Sequence, residues 1–124
     1  MAIVYKFGGA SVKNAEGVRN VEKIVRMTEG DLMVVVSAMG KTTNALERVV
    51  EALAAGQEEK ALQQWVDIID FHVAIMKELG LQPGVDIRLQ GEIPYDPAKS
   101  FDENYDQIVS LGEIMSTQIV AVYL

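Results

Sequence analysis

Hydrophobic and polar positions divide the chain into short continuous apolar runs and longer stretches of helical spacing. Ile3-Val4-Tyr5-Lys6-Phe7 and Leu32-Met33-Val34-Val35-Val36 are of the first kind, and they predict central strands of a parallel sheet. Between them Val18, Val21, Ile24, Val25 and Met27 recur at helical spacing over Ala15 to Thr28, with Asn14 placed as N-cap and Gly30 as stop. Strand, helix and strand in this order predict a right-handed β-α-β crossover. Residues after Phe7 and after Val36 should then emerge at the same edge of the sheet, so two loops are expected to converge.

From Thr43 the spacing becomes helical again, with Leu46, Val49, Val50 and Leu53 on one face and Gly56 as a break. A second helix is predicted with the apolar face Leu62, Trp65, Val66, Ile69, Val73, Met76 and Leu79, closed by Gly80. Leu81 to Ser100 holds Pro83, Pro94 and Pro97 with Gly84 and Gly91, which predicts an irregular connection with a short strand at Val85 to Leu89. One last helix is expected from Asp102, which can cap it, through Ile108, Leu111, Met115, Ile119 and Val122. Two strong strands leave apolar edges uncovered, so the chain is expected to associate with itself or a partner.

Composition narrows the class. The 124 residues are 49% hydrophobic and 23% charged, as in one globular domain. A formal charge of −7 argues against nucleic acid and against an anionic membrane surface, both of which ask for a basic footprint. No cysteine is present for a disulfide or a thiolate metal site. Neither a signal segment nor an apolar run approaching the roughly 18 residues of a membrane span is visible, and a cytoplasmic setting is the expectation.

Three places carry candidate chemistry. The first strand delivers Lys6, Gly8 and Gly9 to its carboxyl end, where amides free of Cβ hindrance and an ammonium can meet a phosphate. A plain strand-to-loop turn with a surface lysine would look the same. Gly40-Lys41-Thr42 imitates the end of a Walker A loop, but no glycine stands at the required spacing before it. In the second loop, Ser37 and Thr43 could each bond a carboxylate or phosphate oxygen beside the amides of a helix start, while one of Thr42, Thr43 and Asn44 is expected to cap that helix. The third place is Gly112-Glu113 inside an otherwise apolar helix. Glycine there costs about 1 kcal/mol relative to alanine and so implies close approach of another group. Glu113 either faces the resulting cavity or is solvated on the outer face. His72, beside Phe71, is read as structural.

Taken together and in order, Lys6-Phe7-Gly8-Gly9-Ala10-Ser11, Val34 to Asn44, and Val109-Ser110-Leu111-Gly112-Glu113-Ile114-Met115-Ser116 resemble the amino-terminal part of the aspartokinases, within the amino acid kinase family. Ala10 stands where many members carry threonine. The resemblance implies a three-layer α-β-α fold with a mainly parallel sheet, present as its amino-terminal portion over residues 1–124, without the nucleotide-binding half and the regulatory ACT domains. It implies transfer of the ATP γ-phosphoryl group, with Mg2+, to the β-carboxylate of L-aspartate in lysine, threonine and methionine synthesis. Lys6 would be catalytic and, with Gly8, Gly9 and Ser11, would hold the ATP phosphates; Ser37, Thr43 and Glu113 would bind aspartate, Glu113 through its α-ammonium. No residue is assigned to metal, and Arg19, Arg26, Arg48 and Arg88 receive no role. A homodimer is the expected assembly, and the isolated piece is expected to be inactive. The alternatives are a kinase of the acetylglutamate type, whose substrate lacks a charged amine, and a non-catalytic assembly module of the same shape.

Overall fold

The computed structural model describes residues 2–81 and 93–124. Strand β1 (Ile3–Phe7) leads through a single 3-10 turn (Gly9–Val12) into helix α1 (Ala15–Arg26), which returns to strand β2 (Leu32–Val36). The strands are parallel, with Ile3 opposite Leu32 and Phe7 opposite Val36. Two flanking bonds lengthen the ladder, Ile3 N–H to the Asp31 carbonyl at 3.0 Å and Ser37 N–H to the Phe7 carbonyl at 2.9 Å. The Asn14 side chain caps α1 by accepting from Gly17 N–H at 2.8 Å. Gly30, at φ 87°, does not stop the helix as the sequence suggested. It lies beyond the cap residue Met27, in the turn that feeds β2.

Only one face of this sheet is covered by the described residues. Phe7, Val34 and Val36 pack into a cluster with Val12, Val18, Val21, Met39, Ile75 and Ile119, drawn from the 3-10 turn, α1, the loop after β2 and two later helices. On the opposite face Val4 is 60% and Met33 59% exposed, with Val35 and Lys6 beside them. The continuous apolar runs therefore mark strands whose second face is bare here, in contrast to the expectation of burial on both sides.

Helices α2 (Thr42–Ala54) and α3 (Glu58–Glu78) form an antiparallel hairpin. Gly56 makes its turn in the left-handed region at φ 73°, where Gln57 N–H reaches back to the Ala52 carbonyl at 2.8 Å and Gly56 N–H to Leu53 at 3.1 Å. The buried side of α3 is Ala61, Trp65, Ile68, His72, Ile75 and Met76. Leu62 and Val66, expected in the core, are exposed. The face is rotated because α3 serves two clusters, one with Ile75 and Met76, the other with Ala61, Trp65, Ile68, Leu46, Val49 and Ile108. The Arg19 guanidinium ties α1 to the end of α3 by donating to the Glu78 carbonyl at 2.6 Å.

The single last helix predicted from sequence is two helices, α4 (Phe101–Val109) and α5 (Leu111–Tyr123), meeting at Ser110. Ser110 keeps a right-handed helical backbone, so neither proline nor glycine marks the corner. The cap of α4 is Ser100 rather than Asp102. Its Oγ accepts from Glu103 N–H at 3.2 Å and donates to the Glu103 carboxylate at 3.3 Å. The buried Asn104 secures the approach to α4, accepting from Asp96 N–H at 2.9 Å and donating to the Asp96 carbonyl at 2.9 Å and the Ser100 carbonyl at 3.1 Å. The short strand expected at Val85 to Leu89 lies outside the described residues.

Candidate functional site

Parallel strands deliver their following loops to one edge, and here the two loops interlock. Gly40 N–H donates to the Gly9 carbonyl at 3.1 Å. A Cβ at residue 9 would stand 2.9 Å from both the Ala38 and the Gly40 carbonyl oxygens, closer than side chains pack, so glycine at this position is a requirement of the approach. Gly8 differs: a Cβ built there meets nothing within 4 Å, which leaves that stretch of backbone open to a ligand. Gly17, inside α1, sits so tightly on the Ser11 carbonyl that any side chain would collide with it, which fixes the 3-10 turn after the glycine pair.

The second loop is held from two more sides. A Cβ at Gly112 would lie 2.9 Å from Ala38 Cβ and 3.3 Å from both Leu46 Cδ1 and Thr42 Cγ2. The close approach inferred from a glycine in an apolar helix is thus made by the second loop and the start of α2. On another side, a Cβ at Gly40 (φ 56°) would sit 3.6 Å from the Phe71 ring. Thr42 does not cap α2. Its hydroxyl donates to the Met39 carbonyl at 2.6 Å, and the cap residue of α2 is Lys41, which makes no side-chain cap bond, so neither Thr43 nor Asn44 fills that role. The first-turn amides of α2 therefore lack a side-chain acceptor.

The three sequence blocks meet at the carboxyl edge of the sheet through backbone and small residues. Gly9 touches the second loop, which Gly112 holds against the start of α5. Lys6, Gly8, Ser11, Thr43 and Glu113 are exposed around this seam, and Ser37 is half-buried. None of the four charged or hydroxyl side chains Lys6, Ser37, Thr43 and Glu113 bonds to another, and none enters an ion pair; the one ion pair among the described residues joins Arg26 to Glu22. Their groups are accordingly free for an external partner. Open space at Gly8 and the exposed ammonium of Lys6 two residues before it are chemistry that suits phosphate oxygens. A free carboxylate on α5 suits a cation. Among the described residues no three of His, Cys, Asp and Glu come together as a metal cluster.

His72 is fully buried, and its Nδ1–H donates to the Ile68 carbonyl at 2.7 Å, leaving Nε2 without a partner. Burial lowers its pKa, against a smaller opposing effect of the bond to Ile68, and so favours the neutral ring. Sequence reasoning missed Gly17, Phe71 and Asn104 as parts of this framework. Gly17 carried the signal that exposed Gly112, a glycine inside a helix.

The whole chain, residues 1–124, matches the model of the amino acid kinase family. Aspartokinase 1, chloroplastic, of Arabidopsis thaliana is 35% identical over 98% of this chain and 23% of its own length. The aspartokinase of Chlamydia trachomatis serovar D is 32% identical over 98% of this chain and 27% of its own. The chain thus spans about a quarter of the length of these relatives. Among solved structures, Escherichia coli aspartokinase III in complex with aspartate and ADP superposes with a TM-score of 0.76 at 25% identity, covering 97% of this chain and 28% of that one. The same enzyme with lysine and aspartate superposes at 0.70 with 24% identity. These superpositions agree with the α/β fold, its parallel sheet, and its place as an amino-terminal portion of the kinase architecture.

Proposed function

The chain belongs to the amino acid kinase family, and from that premise we propose that it is the amino-terminal portion of an aspartate kinase domain, which moves the γ-phosphoryl group of ATP to the β-carboxylate of L-aspartate. The observation that carries this reading is the meeting of the Gly8-Gly9 turn, the Ser37 loop and the Gly112-Glu113 helix start at one sheet edge, with their functional groups unpaired. Such a site serves a transfer between anions, where catalysis comes from positioning and from neutralising charge on the transferred group.

In this reading Lys6 sets its ammonium against the phosphate oxygens, Gly8 and Gly9 turn amides toward them, and Ser11 adds a hydrogen bond. Ser37 and Thr43 orient the aspartate carboxylates. Glu113 accepts the α-ammonium and so rejects acids without a charged amine. Bound ATP supplies the phosphoryl group and Mg2+ spreads its charge; the residues described fit the phosphates better than the metal, for which no ligand on this chain is assigned. The reading extends to lysine, threonine and methionine synthesis, to a homodimer, and to a cytoplasmic setting, although the Arabidopsis relative is named chloroplastic. No helix among the described residues is long and apolar enough to cross a membrane.

Phosphorylation assays with the full-length protein test the proposal. Aspartate-dependent ADP release with no turnover of N-acetylglutamate is the expected result, and the reverse preference would refute it.

A further inference from the structure

We propose that the groove between α2 and α3 is a second ligand site, built for a small organic anion of single charge with an apolar body. The groove is a cavity of about 340 Å³, at the small end of the ~300–1,000 Å³ typical of ligand pockets. None of Lys6, Ser37, Thr43 and Glu113 lines it, so the inference stands apart from the phosphoryl-transfer reading.

Its walls are chemically unequal. From α2 comes Arg48, and from the residue just before it Lys41, roughly 10 Å apart along the helix direction. Neither is in an ion pair among the described residues, so two cations face one opening in a chain whose net charge is −7. Flexible side chains at that spacing can close on one carboxylate or phosphate head group from both ends. Apolar lining comes from Ala45, the buried Ile68 and the ring of Phe71, beside Gln64, whose side-chain oxygen is buried without a partner and can accept from a guest's donor. Across from the cations stands Asp67, whose Oδ1 already accepts from Gln63 Nε2 at 3.0 Å. Its charge limits the guest, because a dianion or polyphosphate seated between Lys41 and Arg48 would meet a carboxylate on the opposite wall. The Thr42 hydroxyl is spent on the Met39 carbonyl and leaves the head group to the two cations. Phe71 is also the residue that borders Gly40, so the floor of this groove is a wall of the second loop.

Amide chemical-shift titration of the 124-residue chain tests the site with 3-phenylpropanoate as probe, and with 3-phenylpropan-1-ol and acetate as its uncharged and bodiless counterparts. Saturable shifts confined to residues 41–48 and 64–71 are expected, with binding of the phenylpropanoate at least about tenfold tighter than either counterpart and weakening as salt is added. Replacing both exposed cations, Lys41→Ala with Arg48→Ala, should lose about tenfold in affinity with the remaining amide spectrum unchanged. Asp67→Asn should strengthen binding of phenylpropanoate somewhat and of the dianion phenyl phosphate by a larger factor. Equal binding of the alcohol, shifts centred elsewhere, no saturation, or full affinity in the double variant would each overturn the proposal.

Discussion

Residue 112 is confined by Ala38: a Cβ on Gly112 would stand 2.9 Å from the Ala38 Cβ, with neither side chain able to swing away. Alanine at 112 improves helix propensity by about 1 kcal/mol, whereas overpacking costs about 1–3 kcal/mol. Gly112→Ala is therefore expected to lower stability or push α5 away from the second loop. The cost should shrink when Ala38→Gly is added. A double-mutant cycle in urea unfolding checks this, and additive effects would mean that the contact is absent.

His72 gives the fold a predictable dependence on pH. Its pKa is lowered in the folded chain, so below the ordinary value near 6.5 the unfolded state binds the proton more readily, and stability is lost as pH falls from about 7.5 toward 5.5. His72→Phe should flatten unfolding midpoints across that window. The chain has one histidine, so its imidazole resonances report the titration directly.

Ser100 and Asn104 hold the entry to α4. Ser100→Ala is expected to cost about 1 kcal/mol as a lost cap. Asn104→Ala should cost about 1–3 kcal/mol, since it removes a buried side chain together with its hydrogen bonds to Asp96 and Ser100. Asp102→Asn, which removes no cap, should stay within about 0.5 kcal/mol. Thermal unfolding of the three variants gives the order.

In the full-length enzyme, Lys6→Ala and Glu113→Ala should separate turnover from substrate affinity. Loss of a charge aimed at the transferred group lowers kcat by about 100- to 1,000-fold. Loss of a partner for the α-ammonium chiefly raises the aspartate KM, by about tenfold or more. Steady-state kinetics with aspartate varied will show the split, and equal rises in KM with kcat intact would contradict it. The 124-residue chain alone is expected to show no turnover.

The bare sheet face predicts self-association. Val4, Met33 and Val35 form an exposed apolar patch around Lys6. Sedimentation over a dilution series should detect dimers or larger species, and Met33→Lys should shift them toward monomer. A compact monomer at every concentration would remove this expectation.

Much of the architecture is readable from local pattern. Asn14 caps α1 because the side chain and its amide are three residues apart, and Gly112 proclaimed a steric demand because glycine is costly in a helix. What stayed hidden was set by distant packing. Leu62 and Val66 satisfy a helical stripe as well as Ala61 and Ile68 do, and the choice is made by two clusters at once. Ser100 and Asp102 are both good caps, so the sequence allows either start. The corner at Ser110 keeps helical dihedrals and leaves no breaker to read. For the site, the glycines that force close approach were legible, whereas Phe71 beside Gly40 joins elements far apart in sequence.

The second loop meets Gly9 and Gly112 through contacts that leave no room for a Cβ and lies beside Phe71, while the groups proposed to meet substrate stand outside these contacts. Architecture and selectivity are thereby separated. Should those groups bind the acceptor as proposed, exchanging Ser37, Thr43 or Glu113 would refit the site to another acid, like fittings on a fixed floor, without recutting the joints beneath. Enlarging any of the small residues at 9, 38 or 112 would instead disturb the joints themselves, and no choice of fittings repairs those.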